Sequence, residues 1–210
     1  MINALTGFLA TKLPTLSPLV STLVSQIPVR ILPEVIAKVA EILISIGKEV
    51  LLCKDSFDEL GYKAINAEMK PDDFSSKTEY LRYLNDSVDF NQADFDSLSE
   101  SEKMELKIAG TLIYSMALNE HLSVTISPET LAAFSILGLE PKNILDVCDR
   151  LLSIGEITTK LIDKTFSGTG SSAEIDTGMA ILKEALFGND TDADKKLDDM
   201  FVRYERRLSE

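Results

Sequence analysis

The sequence predicts an all-α protein, a bundle of roughly eight to ten helices. Helix-start signals recur along the chain, apolar residues fall three and four apart, and the two-residue alternation of strands is nearly absent. Within that class the two halves are alike. Residues 33–47 read against 141–155 at a constant offset of 108 share seven of fifteen positions. They are Pro33/Pro141, Ile36/Ile144, Val39/Val147, Leu43/Leu151, Ser45/Ser153, Ile46/Ile154 and Gly47/Gly155. So long a period predicts one helical unit used twice, with copies around 17–57 and 127–166.

The elements follow in order. An apolar beginning holds Leu5, Phe8, Leu9, Leu13, Leu16, Leu19, Val20, Leu23, Val24 and Ile27. Ser17-Pro18 and Ser127-Pro128 each open a short apolar helix, and Pro33 and Pro141 open the next, because a first-turn proline gives up only an amide with no helical partner. Four sites read S-x-x-E, at Ser56/Glu59, Ser76/Glu79, Ser99/Glu102 and Ser171/Glu174. There a hydroxyl caps the third amide and the carboxylate returns to the cap amide. Met104, Ile108, Leu112, Ile113 and Met116 mark a long helix over about 100–122, with Glu102, Lys103, Glu105 and Lys107 on its polar face. Leu145, Cys148, Leu151 and Leu152 form a later stripe, Ile175, Met179, Leu182 and Leu186 another, and Leu197, Met200, Phe201, Tyr204 and Leu208 the last. Gly138 and Gly188 supply stops. Residues 168–172, Gly-Thr-Gly-Ser-Ser, have the composition of a flexible linker that sets the last two helices apart as a hairpin. Glycine at 47 implies a helix end or a close helix contact.

This pattern divides the chain into 1–126, which holds the apolar helices, the first half and an acidic connector, and 127–210, the second half with its terminal hairpin. Both belong to one compact unit, with the apolar beginning as the layer between the halves. At 210 residues and 45% hydrophobic, the chain can bury a substantial core.

Charge narrows the function classes. Twenty-one Lys and Arg against 34 Asp and Glu give −13, which opposes direct nucleic-acid binding, since that binding gains from cations displacing counterions. Residues 54–105 carry 14 acidic and 6 basic side chains, so the acidity is concentrated there. Two cysteines, Cys53 and Cys148, suggest neither a disulfide framework nor a metal site, and point to a reducing cytoplasm. The first residues lack the basic start and cleavage pattern of a secretory signal, and prolines and Arg30 interrupt any spanning stretch.

Catalytic chemistry finds little footing. His121 is the sole histidine, so paired-histidine metal motifs cannot be assembled, and Cys148 sits on an apolar stripe that suits an inert buried thiol. Asp190, Asp192 and Asp194 open like a calcium loop, but Lys195 stands at its glycine position and Phe201 at its closing glutamate. No enzyme, metal or cofactor is expected.

The sequence therefore predicts a non-catalytic, cytoplasmic protein-binding or regulatory accessory protein that presents acidic helical surface to a protein partner. Asp72, Asp73, Asp86, Asp89, Asp94 and Asp96, in loop-like acidic spans, are the candidate contacts. In an alternative, Phe8, Leu9, Leu13 and Leu16 form an apolar contact for a membrane or a homo-oligomer, although Lys12 and Arg30 are few cations for anionic lipid. In another, the acidic face neutralises a basic toxin or mimics nucleic acid.

Overall fold

A computed structural model describes residues 16, 27–28, 30–47, 51, 55–122, 126–139 and 157–209. Among these there are nine α-helices, one short 3-10 turn and no strand. The chain divides into two compact units, Met1–Ser123 and Val124–Glu210. None of the described helices is long and apolar enough to cross a membrane.

The first unit is built around one helix. It contains α1 (Leu32–Gly47), α2 (Phe57–Asn66), a 3-10 turn (Pro71–Asp73), α3 (Lys77–Ser87), α4 (Gln92–Asp96) and α5 (Glu100–Leu122). Helices α1, α2 and α3 all pack on α5. From Glu105 to Ser115 that helix is buried at every position except Lys107, which is half-buried. The polar face expected on α5 is therefore corrected. It survives at Glu102, with Lys103 and Lys107 half-buried, but Glu105 is only 7% exposed, because a helix packed against three others has little solvent face.

The tightest contact is between α2 and α5. A Cβ placed on Gly61 would overlap the backbone carbonyl of Leu106, and one on Gly110 would overlap the carbonyl of Phe57 and lie 3.0 Å from the Gly61 amide nitrogen. Only two facing glycines let the backbones approach so far. Phe57 meets Gly110 while Gly61 meets Leu106, so the helices run in opposite directions through the crossing. Ala64, Ala109 and Ala117 are fully buried beside it.

Tyr114 secures the end of α1. Its hydroxyl donates to the Leu51 carbonyl at 3.1 Å, its ring lies 5.1 Å from that of Phe57, and a Cβ on Gly47 would collide with its hydroxyl oxygen. Gly47 is thus both the last residue of α1 and a close contact. Leu16 and Ile27 are buried as well. The matched segment 141–155, which the second copy of the repeat around 127–166 needs for comparison, lies outside the described residues, as do Cys53, Cys148 and the stripe at 145–152.

All four S-x-x-E sites start helices, though not identically. Ser56, Ser99 and Ser171 exchange both hydrogen bonds with the glutamate three residues on. At Ser76 only half the exchange forms: its hydroxyl accepts from the Glu79 amide at 3.0 Å, while the Glu79 carboxylate accepts from the Ser75 hydroxyl at 2.6 Å. The remaining need of α3 is met from afar, since the Glu120 carboxylate accepts from the amides of Lys77 (2.6 Å) and Thr78 (3.3 Å). A carboxylate also suits the positive end of the helix dipole.

The second unit holds α6 (Pro128–Ile136), α7 (Ile157–Ser167), α8 (Ser172–Phe187) and α9 (Ala193–Ser209). Ser127 caps α6 through the Thr130 amide (3.1 Å) and donates to Asp163 of α7 at 2.7 Å. Phe166 of α7 is the hub of an aromatic cluster: it meets Phe134 of α6 edge-on at 5.9 Å, stacks on Phe201 of α9 at 5.7 Å and lies 6.0 Å from Tyr204. Residues 168–172 form the turn that joins α7 to α8, where Ser171 caps α8 and Lys164 pairs with Glu174. Gly178 lets α8 close on Thr165 of α7, so the last two helices, α8 and α9, are not set apart from the rest of the unit.

Alanine is the better helix former by about 1 kcal/mol, so propensity alone would make Gly61→Ala and Gly110→Ala stabilising. Overlap with backbone atoms, which have no alternative rotamer, should reverse that sign and cost about 1–3 kcal/mol each. Urea denaturation of the two variants measures it; a gain in either would refute the backbone crossing.

Candidate functional site

The acidic connector folds into exposed surface on the first unit. Asp72, Asp73, Asp86, Asp89, Asp94 and Asp96 are all exposed. Several have local duties. Asp72 pairs with Lys77 at 3.1 Å, and Asp73 accepts from the Lys70 amide at 2.6 Å, which closes the 3-10 turn. Asp94 accepts from the Asn91 side chain at 2.7 Å, and Asp96 from that of Gln92 at 2.8 Å. Lys63, buried beneath this surface, holds Asp55 at 2.7 Å and reaches the Asn85 carbonyl at 3.5 Å, tying α2 to the end of α3. A buried ammonium persists only where carboxylate and carbonyl oxygens replace its water.

Aromatic rings run between these carboxylates, and the charge pattern alone did not single them out. Tyr62, Phe90 and Phe95 form one cluster, with ring centroids 5.2 to 6.2 Å apart. Lys103 stands 5.6 Å over the Phe95 ring. The Tyr62 phenol is held above its ordinary pKa by desolvation and then by the negative charge of Asp94 nearby. Phe74, Tyr80 and Tyr83 form the other cluster, 5.2 to 6.3 Å apart. The signal available in the sequence was aromatic density: six of the fourteen Phe and Tyr residues fall within 62–95, inside the most acidic stretch.

The Phe74 cluster borders an open cleft of about 400 Å³, lined by Phe74, Glu79, Arg82, Tyr83, Asp86 and Ser87. Positions 79, 82, 83, 86 and 87 recur on one face of α3, as helical spacing requires. Of the six predicted aspartates, only Asp86 belongs to the cleft. Behind its wall Tyr80 is 1% exposed, and its hydroxyl has no hydrogen-bond partner. Burial, followed by the neighbouring Tyr83, raises its pKa strongly. Carboxylates beside aromatic faces make a surface suited to holding cations.

Leu16 is fully buried and offers no surface to a partner, while Phe8, Leu9 and Leu13 lie outside the described residues. Among the described residues, no group of three His, Cys, Asp or Glu side chains converges to hold a metal. Asp190 accepts from the Asp192 amide at 2.9 Å and pairs with Lys196, so this segment shapes the entry to α9. Compared with known proteins, the chain matches no family model, no curated protein and no solved structure.

Two substitutions probe the electrostatics. Tyr80→Phe removes a buried hydroxyl that pairs with nothing, and should stabilise the protein by about 1 kcal/mol in chemical denaturation; a loss of stability would reveal a partner for that hydroxyl. Burial, and then Glu102, raise the pKa of Glu105, so the folded protein binds its proton before the unfolded chain does. The penalty of the buried charge is therefore present at pH 7 and disappears as pH falls through the raised pKa toward the ordinary carboxylate value of 4.5. Glu105→Gln should raise the urea midpoint at pH 7, with the gain shrinking toward pH 4.5; an advantage that did not change with pH would contradict this.

Proposed function

We propose that this is a non-catalytic binding or regulatory protein whose first unit presents an acidic, aromatic-studded helical face to a basic protein partner. The observation that carries the reading is the alternation, over residues 62–96, of half-exposed rings with exposed carboxylates. Carboxylates alone would serve solubility. Half-exposed rings on a helical surface add contact area and favour protein association, for aromatic side chains dominate the energetics of interfaces. The excess of negative charge steers a cationic partner and repels phosphate backbones, which supports a protein over a nucleic acid as ligand.

Affinity capture from the native host tests this when the wild type is compared with a triple variant, Asp72→Asn, Asp86→Asn and Asp89→Asn. A basic protein should be retained by the wild type at low ionic strength, weakened severalfold by 0.5 M salt and depleted on the variant. Equal retention on both proteins, or capture indifferent to salt, would rule against the acidic face.

A further inference from the structure

Resting on that reading, we infer that the cluster of Tyr62, Phe90 and Phe95 is the docking point for a basic segment that carries an aromatic or large apolar side chain between its cations. From 85 to 104 no residue is buried, although the stretch contains Val88, Phe90, Phe95 and Leu98, all half-exposed. Single apolar residues at a surface are ordinary. Four within 88–98, joined by Tyr62 of α2, form a patch that gains by being covered. Tyr62 stands nearly perpendicular to both phenylalanines, at 79° and 81°, and Phe90 and Phe95 are tilted by 55° to each other. Rings set at such angles make an uneven apolar surface.

The surrounding charge decides the occupant. Residues 83–102 hold six carboxylates, at Asp86, Asp89, Asp94, Asp96, Glu100 and Glu102, and no Lys, Arg or His. Asp94 and Asp96 accept from the side-chain amides of Asn91 and Gln92, which are uncharged, so these bonds leave the negative charges in place. Exposed carboxylates on their own hold a cation weakly, because water and salt compete for it. Lys103 already stands 5.6 Å over the Phe95 ring, so a second cation on that ring would meet a like charge. The rings are therefore the place for an uncharged side chain, and the carboxylates the place for cations on the same segment. A purely basic segment would leave the rings wet, and a purely apolar one would strip water from the carboxylates without replacing it.

The segment shapes itself, which allows the rings to be changed. The Asn91 side chain accepts from the amides of Ala93 (3.1 Å) and Asp94 (3.3 Å), and the Ser97 hydroxyl donates to the Asp94 carbonyl at 2.6 Å. None of these bonds involves a ring, and α4 contains no buried residue.

The experiment compares two probes of equal charge, acetyl-(Lys-Trp-Lys-Gly)2-amide and acetyl-(Lys-Gly-Lys-Gly)2-amide, by anisotropy of an attached label at low ionic strength. The wild type should bind the tryptophan probe about fivefold more tightly than the glycine probe. This chain has no tryptophan, so the emission of the unlabelled tryptophan probe is read without background and should shift to the blue on binding. Phe90→Ala/Phe95→Ala should abolish both the preference and the shift while keeping the helical circular dichroism of the wild type. Equal affinity of the wild type for the two probes, an unshifted emission, or a preference that survives in the variant overturns the docking point; so does failure of the wild type to bind either probe. The first two outcomes need no variant. Capture with the triple aspartate variant decides the wider acidic-face reading separately: a partner lost on that variant while the two probes bind equally keeps the face and rejects the ring patch.

Discussion

The approach of two helix backbones at Gly61 and Gly110 is the constraint on which the first unit depends. With no side chain between them, α2 lies on α5 close enough for carbonyl oxygens to occupy the space a Cβ would need. Everything outward is placed by that contact. Phe57 is brought under the Tyr114 ring, whose hydroxyl reaches Leu51, and Lys63 is carried to Asp55 and to the end of α3. Helix α3 is in turn capped by Glu120 of α5. The exposed carboxylates and rings are thus displayed by a scaffold whose fixed point is an absence of atoms.

Helix starts were legible because their chemistry is local. A serine hydroxyl and a glutamate three residues later need no tertiary knowledge to pair, and the sites at 56, 99 and 171 do so reciprocally. The half-formed exchange at Ser76 shows the limit of local reasoning. Glu79 finds Ser75, and the α3 amides find a carboxylate 43 residues away in the chain, a contact no window around α3 contains. Glu105 departs from its sequence pattern for a related reason. On an amphipathic helix a carboxylate among Glu102, Lys103 and Lys107 belongs to the solvent side, but a helix packed against three others has little such side. Residues 168–172 look flexible by composition, yet glycine and serine are also what a tight turn and an N-cap require, and the structure uses them so.

The candidate surface was half legible. Charge density located the right stretch, and all six aspartates named from it are exposed. Charge could not rank them, because Asp72, Asp73, Asp94 and Asp96 serve local contacts that the sequence does not announce, and only the folded α3 brings Asp86 to the edge of a cleft. The rings leave no comparable pattern, because isolated Phe and Tyr residues at 74, 80, 83, 90 and 95 have no regular period; they converge only once α3 and its flanking segments fold.

The place of α5 in chain order has a consequence for how the molecule is made. During synthesis the ribosome releases α1, α2, α3 and α4 before the helix on which three of them pack. Until residue 122 has cleared the exit tunnel, the nascent segment has apolar faces but no centre to bury them against, so the first unit closes late and all at once.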